Sequence, residues 1–481
     1  MILKKLLTAA FILFIIVVNL FRFYRLDQVP HGYHVDEYAA AVSLQCLAKT
    51  GEGPFGPQNE PFLYQGFGTP KPPNYIYPVL LWNKVFGYHV DSLRMFSVVA
   101  ILVGIVGLFF LGRLLGGFTV GLWSAVAGTI SPWSWVLGRL GWESFFAPVA
   151  VIWGLYFFFK APTRWNDLLA GLCFCMAAYF YPPARIFLPF SIVLLFGYET
   201  LFRKRRHHWV FFFLAFIVPA IPLVQAQILG KLSFRVNEVA IWNSQYLSSM
   251  GDANPTFNLL KAFIINFKKH LSFDFLFLTG DPDLKHSTQI VGLLSCLDII
   301  AWIVLVISLG LYFLKFNKTN IWKSNGHWLV LFFLCFLVSI IPAGLTFLGT
   351  PNSLRMCLGW PFICLITGFT ISWMCERQFW VSISLTVIII SYSIFYLGDY
   401  FNGYIQRSEG MFSGSINDEV KQFKTQEDWA GFLIENYDKD YRMRYYLMNN
   451  LGQGCSESFK IWKNMLSYIC QKNSNLPRCG E

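Results

Sequence analysis

Apolar runs of about twenty residues recur along this chain, and a helical run of that length matches the roughly 30 Å hydrocarbon core of a bilayer. Eleven are predicted to span it: 6–26, 95–114, 118–137, 145–159, 168–180, 186–202, 209–228, 290–314, 328–348, 356–374 and 381–397. The fourth and fifth are short and bounded by proline. Composition excludes the soluble alternative. Of the 481 residues 55% are hydrophobic and 14% charged, against about 25% charged in ordinary globular domains, and the mean hydropathy is +0.48. One core cannot cover that much apolar side chain, so lipid is the main solvent.

The net charge of +11 reads as topology rather than nucleic-acid binding, because basic residues collect in cytoplasmic connections. The densest cluster is Arg203-Lys204-Arg205-Arg206-His207-His208. If it is cytoplasmic, alternation also places there Lys4 with Lys5, Arg113, Lys160 with Arg164, Lys315 with Lys318 and Lys323, and Arg377. Every basic connection then falls on one side. The other side receives three long segments, 27–94, 229–289 and 398–481. The first apolar run is longer than a signal peptide's and lacks a small-x-small cleavage pattern, so it is expected to remain as an anchor. The expected division is a transmembrane domain over 1–397 and an extracytoplasmic segment over 398–481.

Eight of the eleven cysteines lie within or beside spans, where a thiol behaves as a small hydrophobe; Cys455, Cys470 and Cys479 lie in the tail, where one disulfide is expected. The chain has neither a zinc-type cysteine spacing nor a GxxxxGK[ST] phosphate loop.

Chemistry-bearing residues gather in the outer connections. After the first span comes Pro30-His31-Gly32-Tyr33-His34-Val35-Asp36-Glu37. Its adjacent carboxylates suit proton abstraction, or else a solvated acidic loop or charges at a helix amino terminus. Lys71, in Thr69-Pro70-Lys71-Pro72-Pro73, sits on stiff backbone where an ammonium meets a lipid phosphate or snorkels to the interface. The stretch 77–86 is expected to lie flat as an interfacial helix. Arg139 and Glu143 share the next outer turn, as site residues or as a rim anchor. Tyr181 and Arg185 follow in Tyr181-Pro182-Pro183-Ala184-Arg185. Asp281 and His286 occupy Gly280-Asp281-Pro282-Asp283-Leu284-Lys285-His286, where the histidine binds ligand or caps the next span. Arg355 closes the set. Acids and bases from five connections thus converge on one face.

These motifs resemble the bacterial members of the GT-C membrane glycosyltransferases, nearest the group of protein O-mannosyltransferases and lipid A aminoarabinose transferases. The resemblance covers roughly residues 1–370, and the tail 398–481 carries none of its motifs. It implies an all-α polytopic fold with a large first extracytoplasmic loop bearing interfacial helices, in the plasma (inner) membrane. It also implies transfer of a hexosyl or pentosyl group from a polyprenyl-phosphate donor to a hydroxyl on a protein, lipid or glycan, on the extracytoplasmic face and with inversion. Asp36 matches the general base, and Lys71 the phosphate contact, with Arg355, Arg139 or Arg185 assisting. Glu143 matches a second acidic position that orients acceptor or sugar. Glu37 stands beside the base as the nucleophile a retaining route would need. No cofactor is certain; if Mg²⁺ or Mn²⁺ takes part, Asp36, Glu37 and Glu143 offer the oxygen ligands. A transporter or flippase of lipid-linked sugars is the competing reading. It predicts charges near mid-membrane and two repeated halves, whereas the notable charges here stand at span ends.

Overall fold

The computed structural model describes residues 2–51, 64–66, 69–71, 75–232, 234–251, 254–314 and 321–412. Cys455, Cys470, Cys479 and the expected tail from 413 onward lie outside the described residues. In chain order the helices are α1 (Ile2–Leu20), α2 (Val35–Thr50), α3 (Ile76–Phe86), α4 (Val90–Gly116), α5 (Phe118–Ile130), α6 (Pro132–Leu137), α7 (Phe146–Phe159), α8 (Arg164–Phe180), α9 (Pro182–Tyr198), α10 (Trp209–Ile228), α11 (Phe234–Val239), α12 (Ser244–Ser249), α13 (Pro255–His270), α14 (Cys296–Phe313), α15 (Ile321–Gly344), α16 (Trp360–Arg377), α17 (Phe379–Tyr400) and α18 (Gly403–Arg407). The described strands are β1 (Tyr64–Gly66) and β2 (Thr69–Lys71), an antiparallel hairpin with Tyr64 opposite Lys71. The chain forms two compact units. Of the described residues, the first comprises those within 2–24, 97–139 and 143–407, and the second those within 25–96, 140–142 and 408–412.

Seven described helices are long and apolar enough to cross a membrane, and Thr8–Phe23, Phe118–Ile130 and Glu143–Phe159 are shorter apolar helices. The expected count of eleven spans is therefore not reproduced. The fifth run falls in α8, a helix of 17 residues. In the first unit α16 is buried along 89% of its apolar window and α10 along only 17%. A helix apolar all round belongs inside, and α16 is so placed. The outward row on α10, with Val210, Leu214, Ile217, Val218, Ile221, Val224 and Ile228, has only lipid as a matching solvent. The chain is an integral multi-pass membrane protein.

Three span boundaries differ from expectation for local reasons. The run 118–137 is not one helix: α5 stops at Ile130 and α6 restarts with Pro132 at its first position. Proline lacks the N–H that would bond the carbonyl of Gly128, and the extended backbone at Ser131 leaves that of Thr129 without its helical donor. Arg22 from the end of the first span donates to Thr129 O (3.0 Å) and to Gly128 O (3.5 Å), Ser134 Oγ donates to Gly128 O (2.9 Å), and Trp135 Nε1 donates to Thr129 O (2.8 Å). The guanidinium lies 4.4 Å from the Trp135 ring centroid. The run 290–314 starts as a helix only at Cys296, because Ser295 and Asp298 form a capping box there. Asp298 also accepts a 2.6 Å hydrogen bond from Thr367 of α16. The run 356–374 opens as a 3₁₀ turn, Cys357–Gly359, before α16.

The second unit holds α2, α3, the hairpin and the start of α4. α3 is the expected interfacial helix in form, with Tyr77, Leu81, Val85 and Phe86 exposed against a buried row of Ile76, Val79 and Asn83. Cys46 on α2 corrects the expectation for span-associated thiols: it is disulfide-bonded, whereas the other seven described cysteines are free.

Candidate functional site

In the second unit, Gly32 takes a left-handed φ of +83°, a conformation favouring glycine. This turns the chain toward His34, the N-cap of α2. The His34 side chain accepts from Asp36 N (3.2 Å), and Glu37 Oε2 accepts from His34 N (2.8 Å). This capping box satisfies two of the amides a helix start leaves open. It also sets Asp36 and Glu37 in the first turn, beside the positive end of the helix dipole.

The two carboxylates have different surroundings. Glu37 is fully buried, and its oxygens accept from Arg94 Nε, Arg94 Nη2, Gly141 N and His34 N, each at 2.8 Å. Burial pushes its carboxyl toward neutrality, but the Arg94 charge with its hydrogen bonds and the two amides outweigh this and hold it below the ordinary range. Arg94 also donates to Leu26 O and Gly32 O, both at 2.7 Å. The pair thus ties the loop after the first span, the start of α4 and the 140–142 turn together. Gly141 has no room for a side chain, since a Cβ would press on Leu93 and Glu37. Asp36 is open by comparison, its side chain 46% exposed with Oδ2 3.3 Å from His34 Nδ1. Lys71 ends β2.

In the first unit, the charges of Arg355 and Glu143 and the Cys357 thiol act electrostatically on Tyr181. Burial, then Cys357 and Glu143, raise the phenol well above its usual value against the opposing Arg355 charge, so Tyr181 is a neutral donor. Arg355 follows a turn clamped from three directions. Ser353 N donates to Asp281 Oδ2 (2.6 Å), Asn352 N donates to His270 Nε2 (2.9 Å), and Trp133 Nε1 donates to Ser353 O (3.0 Å). Arg355 itself donates to Thr346 Oγ1 (2.8 Å) and Leu348 O (2.5 Å). Asp281 also accepts from Asp283 N (2.9 Å) and lies 3.3 Å from His286 Nδ1.

The structure gives each residue nominated from the sequence its own surroundings. In the first unit Asp281 and His286 meet, and Glu143 and Arg355 act on Tyr181 electrostatically. Arg139, expected near phosphate, is fully buried and donates to the carbonyls of Phe21, Arg22 and Tyr24, where it caps the end of the first span. Arg185 donates to Ala178 O and Gln227 Oε1 (both 3.2 Å). Arg94, Arg22 and His270 were not foreseen. A charged residue at the edge of an apolar run demands a buried partner, and that signal pointed to both arginines. Nothing in the sequence marks His270 beyond its type.

As to a metal, Glu37 has no acceptor position left for an ion, and among the described residues no group of three His, Cys, Asp or Glu side chains is arranged to hold one.

No family model matches the chain, and no curated protein matches it by sequence. Among solved structures, that of ArnT from Cupriavidus metallidurans bound to undecaprenyl phosphate is similar over 96% of this chain and 76% of that one, at 10% identity and a TM-score of 0.48. The Archaeoglobus fulgidus oligosaccharyltransferase tethered with an acceptor peptide is similar over 92% of this chain and 59% of its own, at 11% identity and a TM-score of 0.49. AglB of the same organism, in complex with an inhibitory peptide and a dolichol-phosphate, is similar over 91% and 60%, at 12% identity and a TM-score of 0.46.

Proposed function

We propose that this protein is a glycosyltransferase of the GT-C kind that moves a sugar from a polyprenyl-phosphate donor to a hydroxyl acceptor, with Asp36 as general base. The reading rests on one observation above the rest: of two adjacent carboxylates on a helix start, one is saturated and buried while its neighbour is half-exposed on the frame the first one holds. An alcohol is a poor nucleophile until a carboxylate within hydrogen-bond reach accepts its proton. Asp36 takes that proton as the acceptor oxygen bonds to the anomeric carbon. The bond from that carbon to the phosphate oxygen breaks, and the electron pair leaves with the lipid phosphate. Charge grows on the leaving oxygen in the transition state, so cations fixed beside it lower the barrier. Lys71 and Arg355 are assigned that part, and Glu143 with Tyr181 the orientation of sugar or acceptor. A retaining route needs a second free carboxylate; Glu37, with four donors on its oxygens, is a poor candidate, which favours inversion. Asp281 is read as a positioning residue for the Arg355 turn, with His286 beside it.

The same proposal places the protein in the plasma (inner) membrane with 27–94, 229–289 and 398–481 on the outer side, 1–397 acting as the transferase domain. Its test is incubation of the purified chain with a panel of radiolabelled polyprenyl-phosphate sugars. Release of free polyprenyl phosphate from one donor names it, and Asp36→Asn should abolish that release at unchanged membrane abundance. Normal turnover by the variant would remove Asp36 as base, and no release from any donor would remove the transferase reading.

A further inference from the structure

The opposite end of α8 and α9 from Tyr181 carries a structure that the proposed transfer does not use. The carboxylates Asp167 and Glu199 are buried there, 1% and 0% exposed, under the basic connection that leads into α10. Asp167 Oδ1 lies 2.7 Å from His207 Nδ1, and Asp167 Oδ2 accepts from His208 N at 2.7 Å. Glu199 accepts from Arg203 Nη1 at 3.0 Å, and its backbone carbonyl accepts from Lys204 N at 2.6 Å. Arg205 donates to Phe159 O at 3.0 Å. The His207 ring stacks on Phe158 and on Trp209, with centroids 4.8 and 4.7 Å away. Gly171 lets α10 close on α8 behind this cluster, since a Cβ there would strike the Phe212 backbone. The connection is thus pinned at nearly every residue. A charge that only fixes topology needs no such frame.

The two carboxylates are taken up by Arg203 and His207. Lys160, Arg164, Lys204, Arg205 and Arg206 remain, none of them in an ion pair with a carboxylate among the described residues. Large apolar side chains stand out beside them: Trp165 is 74% exposed, Leu201 70%, Phe202 67% and Val210 68%. In water that mixture is unfavourable; at the boundary of headgroups and acyl chains both halves find partners.

We propose that this face is a preformed platform for anionic phospholipid, its cations taking the headgroup phosphate and Trp165, Leu201, Phe202 and Val210 the glycerol and upper acyl region. A phosphodiester accepts a planar fork from Arg and a point charge from Lys, and the platform offers both on backbone already ordered. The occupant is a bilayer lipid rather than free phosphate or an acidic protein, because the apolar rim would otherwise stay in water.

The test uses the full chain in nanodiscs of phosphatidylcholine with phosphatidylglycerol, reading the lipids retained after exchange into detergent. The wild type should retain phosphatidylglycerol over phosphatidylcholine, and Lys204→Gln with Arg206→Gln should lower that retention about tenfold, while Lys268→Gln with Lys269→Gln on α13, equal in charge, should leave it unchanged. His207→Gln, which removes no formal charge from the exposed cations, should weaken retention through the frame. Equal retention of both lipids, equal retention by the Lys204/Arg206 variant, or displacement of the lipid by inorganic phosphate or an acidic peptide would each overturn the proposal.

Discussion

At one end of the first unit His207 stands between two buried carboxylates, and at the other end His270 stands between a helix carbonyl and a backbone amide. His270 Nδ1 is 2.8 Å from Asn266 O and must donate to it, leaving Nε2 as an acceptor for Asn352 N. This histidine works only while neutral, and burial pushes its pKa down to about 4. For His207, burial opposes charge, but Glu199 and Asp167 outweigh it and raise the value. Two imidazoles of like burial are thus driven in opposite directions by what faces them. The His207 end holds a frame by charge matching; the His270 end holds the Arg355 turn by directed neutral hydrogen bonds, leaving the Arg355 charge uncancelled by the histidine beside it.

The strongest way to break this comparison is Asp167→Ala. It strips His207 and the His208 amide of their acceptor, and losing one partner of a buried pair costs about 3–5 kcal/mol. The thermal midpoint in detergent should fall steeply, while turnover per folded molecule changes little. A matching loss of turnover at unchanged stability would show that the two ends are not separate in function. Asp281→Ala should do the reverse. It frees Ser353 N and loosens the turn before Arg355, and a displacement of about 1 Å can cost roughly 100-fold in rate, so kcat/KM should drop on that order. Asp281→Asn, which keeps an acceptor for the amide, should lose less.

The pH dependence sharpens the contrast. His270 has a folded value below its unfolded one, so the unfolded chain binds the proton first and stability is lost as pH falls from about 6.5 toward about 4. His207 has a raised folded value; its contribution is fully present below about 6.5 and is lost as pH rises through that raised value. Thermal melts across pH should therefore flatten on the acid side in His270→Gln and on the alkaline side in His207→Gln. Identical flattening in both would contradict the opposed shifts. The smallest effect is expected away from both ends: Thr367→Val removes the hydrogen bond to Asp298 and should cost about 1–3 kcal/mol, read as a modest fall in midpoint.

How much of this was legible beforehand differs by residue. Periodicity and length located the long helices, because a bilayer demands apolar runs of set length whatever their neighbours. The break at Pro132 was written in the chain, yet it is tolerable only because Arg22, over a hundred residues earlier, reaches the freed carbonyls. The Asp36–Glu37 pair shows the limit most sharply. Both are carboxylates at adjacent positions, and spacing assigns them the same chemistry. Only Arg94 and Gly141, brought in from elsewhere, distinguish the buried member from the open one. Arg139 is alike: an arginine at a span end reads either as a phosphate helper or as a rim anchor, and only the packed structure shows that it donates to the carbonyls of Phe21, Arg22 and Tyr24.

Composition and hydrophobic period were enough to establish a multi-pass helical membrane protein, and short motifs were enough to nominate Asp36, Lys71 and Arg355. These are local properties, carried by runs and neighbours along the chain. Which carboxylate stays exposed, which arginine caps the end of a span and which histidine stays neutral were decided by tertiary contact. Each depends on how many donors and charges distant segments bring within about 3–4 Å, and the desolvation that gives such contacts their weight exists only once the helices have packed.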